Sequence, residues 1–139
     1  YHSIKGRGLI RTLDPSMIKF SQSSVNGWGD RIDLFKTSGW KPTLEPINVV
    51  RMGDGSLITI DNTRLLAAQM VGIPVKAIIR DYNQPIFSKQ IIKRLATKKD
   101  GIPTTWGQAV EFRINNQNSL FRMQSKEGSL ITGLGKKHE

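Results

Sequence analysis

The chain has 139 residues, 37% of them hydrophobic and 23% charged, a balance typical of one folded domain with its own core. It contains no cysteine, which excludes disulfides, thiolate catalysis and zinc–thiolate sites, and no apolar run approaches membrane-spanning length. Its 21 lysines and arginines outnumber 11 acidic residues, and the net charge of +10 predicts a polyanionic partner, nucleic acid in preference to an anionic membrane.

The excess positive charge is spread along the chain. Residues 1–85 carry 11 basic and 7 acidic side chains (+4), and residues 86–139 carry 10 and 4 (+6). This spread predicts a basic folded surface on a single domain, residues 1–139, and not a basic tail. Because the first residue is Tyr1 and not methionine, we expect the chain to be a piece of a longer protein.

The N-terminal third is predicted to contain short elements and one helix. We expect a short strand at Leu9-Ile10, a turn over 13–16 and an extended piece over 17–20. Asp30 is predicted to cap a helix that ends near Gly39. Between these lies a polar segment that is either a mobile surface loop or a source of hydroxyl and amide contacts to a ligand: Ser21, Gln22, Ser23 and Ser24.

The stretch from Pro46 to Arg80 predicts a strand, a turn, a second strand, a helix and a third strand. Asp54-Gly55 is a strong hairpin signal, because a tight turn needs residues that tolerate positive φ. Gly72 is placed to end the helix predicted over 63–71, and Pro74 prevents that helix from resuming.

The sequence Asp61-Asn62-Thr63-Arg64 lies at the junction of the second strand and the helix. At such a junction the free backbone N–H groups and the positive end of the helix dipole face outward together, which attracts anions. Arg64 would add a fixed, forked positive charge, so the junction predicts a phosphate site. On the local pattern alone, the simpler interpretation is that Asp61 or Asn62 only caps the helix and Arg64 is a solvated surface charge.

Beyond Arg80 the sequence predicts two helices and a hairpin. The first helix follows Ser88 and runs to Lys98, and its basic side chains form either a phosphate-tracking surface or an ordinary solvated face. Thr105 and Gln108 form a capping-box pattern for a helix through Asn116. We expect residues 120–123 and 130–131 to form a final hairpin.

Several motifs between residues 13 and 80 match a known superfamily. They are Leu13-x-Pro15-x-x-Ile18, the helix end at Gly39, Pro46-Ile47-x-Val49, Asp54-Gly55, Ile60-Asp61-x-x-Arg64-Leu65-x-Ala67-Ala68 and Gly72-Ile73. This segment resembles the N-terminal domain of the ParB/sulfiredoxin superfamily. The resemblance implies an α+β fold, a small mixed β-sheet with a central β-hairpin–helix–strand unit, to which residues 81–139 add the basic C-terminal helices and hairpin. In that superfamily the junction handles phosphates of nucleotides or nucleic acid and typically reads Asp-Gly-x-Arg-Arg, a pattern that Asp61 and Arg64 keep.

A second set of short matches extends over nearly the whole chain. It comprises Phe20 to Ser24, Asp61 to Arg64, Thr105-Trp106-Gly107, Arg113-Ile114-x-x-Gln117 and Phe121-Arg122. With these motifs the chain resembles the C-terminal toxin modules of bacterial polymorphic toxins of the Rhs and contact-dependent growth inhibition kinds. The resemblance implies an antibacterial effector that is secreted or delivered as the C-terminal part of a larger protein. It would act in the target-cell cytoplasm and be neutralised in its producer by a cognate immunity protein.

The residue inventory favours metal-independent cleavage of RNA. The histidines are His2 and His138, both near the ends, so a histidine base and an HNH-type metal site are not expected, and we predict no metal and no cofactor. RNA supplies its own 2′-hydroxyl nucleophile, so the protein need only position it, assist a proton transfer and stabilise the pentavalent phosphate. We therefore predict a nuclease acting on structured RNA such as tRNA.

For this reaction the predicted catalytic residues are Asp61, Arg64 and Arg113. The predicted nucleic-acid-binding residues are Ser21, Gln22, Ser23, Ser24, Asn62, Thr63, Trp106 and Arg122. Trp106 either stacks an unpaired base, which is worth about 1–3 kcal/mol, or packs in the core at a helix start. A DNase of the ParB-like type, a non-catalytic nucleic-acid-binding module and a transferase with a bound nucleotide stay open as alternatives.

Overall fold

The computed structural model describes residues 10–138, which form a four-stranded mixed sheet with helices on both faces. The strands are β1 (Ile10–Leu13), β2 (Ser24–Val25), β3 (Ile47–Arg51), β4 (Leu57–Thr59), β5 (Val75–Asp81) and β6 (Gly133–Leu134). The helices are α1 (Trp28–Ser38), α2 (Asn62–Val71), α3 (Lys89–Leu95), α4 (Trp106–Asn115) and α5 (Ser119–Gln124), and a 3-10 helix covers Pro15–Met17. This architecture confirms the predicted α+β fold class.

The central unit has the predicted order of elements. The sheet order is β1-β5-β3-β4, in which β3 is antiparallel to β4 and parallel to β5. The turn between β3 and β4 is stabilised by Asp54, whose carboxylate accepts hydrogen bonds from the backbone N–H and hydroxyl of Ser56. Helix α2 ends at Gly72, which adopts the left-handed conformation (φ 82°) that glycine accommodates without strain.

Strand β3 separates two hydrophobic cores. Ile47 and Val49 point into a core shared with α1 and α2, whereas Val50 and Met52 belong to a second core closed by α3 and α4. This arrangement follows from the alternation of side chains along a strand. Because both faces of the sheet are covered, β3 is apolar at most positions, and Asn48 is a polar exception.

The predicted C-terminal hairpin is wrong. Residues 119–124 form helix α5, because the side chain of Asn118 caps it by accepting a hydrogen bond from the Phe121 N–H at 2.9 Å. Residues 130–131 belong to no strand, and the next strand, β6, pairs in parallel with β2 near the other end of the chain. Such a pairing depends on a contact more than 100 residues away, which local sequence does not report.

Other boundaries also differ from those predicted. Helix α1 begins at Trp28 after Gly27, so Asp30 lies in its first turn and is not its cap. Helix α3 ends at Leu95, three residues before the predicted end at Lys98. The 3-10 helix of residues 15–17 lies within the predicted turn except for Met17, which was expected to begin an extended piece. Leu9 of the predicted first strand lies outside the described residues. Within residues 10–138, no helix combines the length and the apolar character needed to cross a membrane.

Candidate functional site

The junction between β4 and α2 fixes the position of the Asp61 carboxylate. The Asp61 N–H donates to the Thr59 hydroxyl at 2.9 Å, and this hydroxyl in turn donates to the Asn48 carbonyl at 2.9 Å. Asp61 occupies the N-cap position of α2, but its side chain makes no capping hydrogen bond. Its Oδ2 instead accepts from the Asn48 N–H at 2.7 Å, so Asp61 occupies the predicted N-cap position but does not cap the helix with its side chain.

Two arginines meet this carboxylate from different helices. Arg94 of α3 places Nη2 3.3 Å from Oδ1 of Asp61, and Arg64 of α2 places Nη2 3.6 Å from Oδ2. Arg94 also donates to the Ile60 carbonyl at 3.1 Å. The Asp61 side chain is only 9% exposed, so both of its oxygens are committed to protein partners.

Arg64 is not the solvated surface charge of the simpler interpretation. Its side chain is 16% exposed, donates to the backbone carbonyl of Glu45 and lies 5.9 Å from the ring centroid of Trp40. Burial lowers the pKa of Arg64, with the charge of Arg31 adding to this effect and the carboxylate of Asp61 opposing it. The guanidinium is therefore held in a fixed place and still faces an open pocket.

That pocket has a volume of about 600 Å³ and receives one arginine from each of four helices. These four, Arg31 of α1, Arg64 of α2, Arg94 of α3 and Arg113 of α4, together with Asp61, define what we call the arginine pocket. Glu45 is the second carboxylate among the described residues that line it. Four positive and two negative side chains leave an excess of +2, which a bound anion would neutralise.

Arg113 carries a largely buried positive charge close to another arginine. Burial lowers the pKa of Arg113 to about 10, with a further lowering from Arg94 and an opposing effect from Asp61. A guanidinium with such a pKa lies in a site where positive charge is costly. An anion in the arginine pocket would relieve this cost, which makes the pocket a candidate anion site.

The structure brings six of the predicted site residues to the arginine pocket. They are Gln22, Asp61, Asn62, Thr63, Arg64 and Arg113. Asn62 is nearly buried, and its amide both accepts from the Ser21 N–H at 2.9 Å and donates to the Ser21 hydroxyl at 3.0 Å. Thr63 donates from its hydroxyl to the Asn26 carbonyl at 3.2 Å. These contacts connect the start of α2 to the chain on both sides of β2.

The predicted serines do not line the pocket. Ser21 is fully buried and donates to the Thr59 carbonyl at 2.7 Å, so it holds the junction together and is not available to a ligand. Ser23 bonds the side chain of Gln117 through both its N–H and its hydroxyl, at 3.1 and 3.2 Å. Ser24 is exposed in β2, outside the pocket. The segment is thus anchored on both sides and is not a free loop.

Trp106 and Arg122 also lie apart from the pocket. Trp106 is 2% exposed in the second core, and the guanidinium of Arg80 lies 4.6 Å from its ring centroid, so its face is not presented to a base. The prediction that Trp106 stacks a base is therefore wrong, and its alternative, a core residue at a helix start, describes the structure. Arg122 lines a different groove, with Lys99 and Glu111.

Sequence reasoning missed Arg31 and Glu45, and it included Arg94 only as one of the basic side chains of the helix after Ser88. Arg94 follows Ile91 by three positions, which places it at the edge of the apolar face of α3, and this spacing was a usable signal. Arg31 and Glu45 carry no comparable signal, because only the packing of α1 and of the segment before β3 brings them to the start of α2. Residues 10–138 contain no group of three or more His, Cys, Asp or Glu side chains arranged to hold a metal ion.

Neither a protein-family model nor a curated protein sequence matches this chain. Among solved structures, the chain is similar to sulfiredoxin from Arabidopsis thaliana, with 22% sequence identity and a TM-score of 0.42. The match covers 52% of this chain and 85% of the sulfiredoxin chain. Sulfiredoxin belongs to the ParB/sulfiredoxin-like fold that the sequence resembles. The similarity concerns the fold alone and transfers neither a site nor a reaction to this chain.

Proposed function

We propose that this domain is a nuclease that cleaves RNA at a phosphodiester bound in the arginine pocket. The observation that carries the proposal is the convergence of four arginines from four helices in one pocket, where Arg64 and Arg94 pair with the nearly buried carboxylate of Asp61. A surplus of fixed positive charge in a partly buried site stabilises an anion more strongly than the same charges in water. Phosphate is an anion whose geometry planar, forked guanidinium groups match with paired hydrogen bonds.

The charges of the pocket support cleavage by the 2′-hydroxyl of RNA. The phosphate gains negative charge in the pentavalent transition state, and Arg64 and Arg113 are held where they would stabilise that charge. Asp61 holds Arg64 and Arg94 in place through its two oxygens. Because the substrate brings its own nucleophile, the reaction needs no activated water, and we propose that it proceeds without a metal ion.

We further propose that the domain acts as the toxin module of a bacterial polymorphic toxin, with a tRNA-like substrate in the cytoplasm of the target cell. Support for this setting comes from the sequence resemblance and from the net charge of +10, which suits an RNA partner. A cognate immunity protein would protect the producing cell. Co-expression of a candidate immunity protein encoded next to this domain should then restore the growth of bacteria in which expression of the domain is induced.

The direct test is incubation of the purified domain with total tRNA, with and without EDTA. We expect cleavage under both conditions, and products that end in a 2′,3′-cyclic phosphate and a 5′-hydroxyl. Arg64→Ala should reduce the cleavage rate by about 10²–10³-fold, the usual effect of removing one donor that stabilises a transition-state oxyanion. The matched control is Arg51→Ala, which removes an arginine that is exposed and paired with Asp81 at 3.2 Å.

Intact RNA after incubation with the folded wild-type protein would contradict the nuclease proposal. Cleavage of plasmid DNA with RNA left intact would favour the DNase alternative. If Arg64→Ala cleaved RNA as fast as the wild type, the phosphate would have to bind elsewhere.

A further inference from the structure

The proposed reaction needs a group that accepts the proton of the 2′-hydroxyl, and the arginine pocket offers two carboxylates among the described residues, Asp61 and Glu45. Asp61 is poorly placed for this role. Its Oδ1 faces Arg94, and its Oδ2 faces both Arg64 and the Asn48 N–H at 2.7 Å. Both Asp61 oxygens are paired with protein groups, and only 9% of its side chain is exposed. Asp61 therefore acts as a positioning residue for the two arginines.

Glu45 has the opposite environment. It is exposed on the pocket wall, and among the described residues its carboxylate is attracted electrostatically to Arg64 without forming an ion pair as close as those of Asp61. Its backbone is nevertheless fixed, because its carbonyl accepts a hydrogen bond from Arg64. Pro46 follows directly and restricts Glu45 to extended conformations. Glu45 therefore combines a free carboxylate with a backbone anchored to a phosphate-binding arginine.

The charged groups that face Glu45 across the pocket come from all four surrounding helices. They are Asp61 and Arg64 of α2, Arg31 of α1, Arg94 of α3 and Arg113 of α4. Glu45 is close enough to Arg64 for Coulombic attraction between them. A phosphodiester bound by Arg64 would thus have its adjacent ribose beside a carboxylate that is not committed elsewhere.

We propose that Glu45 is the general base that removes the proton from the attacking 2′-hydroxyl; this inference rests on the proposed RNA cleavage. As the O2′–P bond forms and the P–O5′ bond breaks, the 2′-hydroxyl proton passes to the Glu45 carboxylate. The departing 5′ oxygen takes a proton from solvent water. The products are a 2′,3′-cyclic phosphate and a 5′-hydroxyl, and nothing is oxidised or reduced.

The test compares Glu45→Gln with the wild type on two substrates, an RNA oligonucleotide and its uncleavable 2′-O-methyl analogue. General-base catalysis contributes about 10²–10⁴-fold, so Glu45→Gln should lower kcat by this factor. Its affinity for the 2′-O-methyl analogue should be unchanged or higher, because the variant removes a negative charge beside a bound anion. The matched control is Glu127→Gln, an exposed carboxylate that lines a different groove.

Two further measurements separate a proton-transfer role from a merely structural one. Glu45→Asp keeps a carboxylate one methylene farther back and should retain more activity than Glu45→Gln. The rate of the wild type should rise with pH on the acid side of its profile as the base loses its proton, and Glu45→Gln should lack this limb.

The outcomes distinguish this inference from the function on which it rests. If the wild type cleaves RNA and folded Glu45→Gln cleaves it at the same rate, Glu45 is not the base while the nuclease proposal stands. Loss of 2′-O-methyl RNA binding in Glu45→Gln would also overturn the inference, because it would indicate a binding role. If the wild type cleaves no RNA, both proposals fail together.

Discussion

Two arginines of this protein each lie against a tryptophan, and the two contacts have different consequences. Arg64 lies 5.9 Å from the ring centroid of Trp40, and Arg80 lies 4.6 Å from that of Trp106. Burial is the main cause that lowers the pKa of both arginines. Arg64 nevertheless lines an open pocket, whereas Arg80 is 8% exposed between the sheet and α4.

A single residue, Asn48, connects the two contacts. Its backbone N–H donates to Asp61, which pairs with Arg64, and its side-chain Oδ1 accepts from Nε of Arg80 at 3.2 Å. The same polar network therefore reaches solvent at the arginine pocket, through Arg64, and is buried at Arg80, beside the second core. Under the proposed function, Arg64 beside Trp40 can contact a ligand because its guanidinium keeps access to the pocket, whereas the buried pair of Arg80 and Trp106 contributes to packing.

The largest expected effect is on stability, at Trp106 in the second core. Trp106→Ala should lower the free energy of unfolding by about 3–5 kcal/mol, because it removes a buried aromatic ring and leaves a cavity. Urea unfolding, monitored by circular dichroism, measures this free energy. Trp106→Phe keeps an aromatic face for Arg80 and should lower the free energy of unfolding by less. If Trp106→Ala were as stable as the wild type but unable to bind RNA, the tryptophan would belong to the site and the comparison would fail.

The next effect is expected at Arg113 in the arginine pocket, where a substitution should raise stability and lower activity. Arg113→Met keeps the aliphatic stem and removes a charge whose burial lowers its pKa to about 10. At pH 7 the variant should be more stable than the wild type by roughly 1–3 kcal/mol, since one pKa unit corresponds to about 1.4 kcal/mol. Cleavage should fall by about 10²–10³-fold. Arg51→Met, at an exposed ion pair, should change stability by less than about 0.5 kcal/mol.

The extra stability expected of Arg113→Met should change with pH in a definite direction. The folded-state pKa of Arg113 lies below that of a free arginine, so between the two values the unfolded chain binds more protons than the folded one. The destabilisation from Arg113 is fully present below about pH 10 and declines as the pH rises through that value. The stability difference between Arg113→Met and the wild type should therefore be constant near neutral pH and shrink above pH 10. A difference that grows in alkali would contradict this account.

The smallest effect is expected outside the arginine pocket. Arg122 lines a separate groove with Lys99 and Glu111, so Arg122→Ala should leave the cleavage rate within about twofold of the wild type. The measurement is the same RNA cleavage assay. A loss as large as that of Arg64→Ala would place Arg122 in the active site and show that the two grooves act together.

The sequence predicted the central unit well, because its signals are local. Asp54-Gly55 marks the turn, Gly72 ends α2, and alternating apolar residues mark β3. The C-terminal hairpin was mispredicted because the apolar residues of 119–124 fit either a strand or a short helix, and the cap at Asn118 decides between them. The parallel pairing of β6 with β2 depends on distant chain segments and has no local signature.

The candidate site was predictable only where its residues adjoin the junction. Asp61 and Arg64 follow from the strand-to-helix pattern, and Arg113 from its place in α4. Trp106 was ambiguous because an aromatic residue at a helix start looks the same whether it faces solvent or the core, and only the position of Arg80 settles this. Arg31 and Glu45 reach the pocket through tertiary packing, which no spacing in the sequence reveals.

NMR of the arginine Nε–H groups during titration with a 2′-O-methyl RNA oligonucleotide shows whether the arginine pocket holds the phosphodiester. We expect the signals of Arg31, Arg64, Arg94 and Arg113 to shift together in a saturable way, while those of Arg51 and Arg122 stay in place. Shifts confined to Arg122 and its groove, with the four pocket signals unchanged at saturation, would exclude the arginine pocket as the phosphate site.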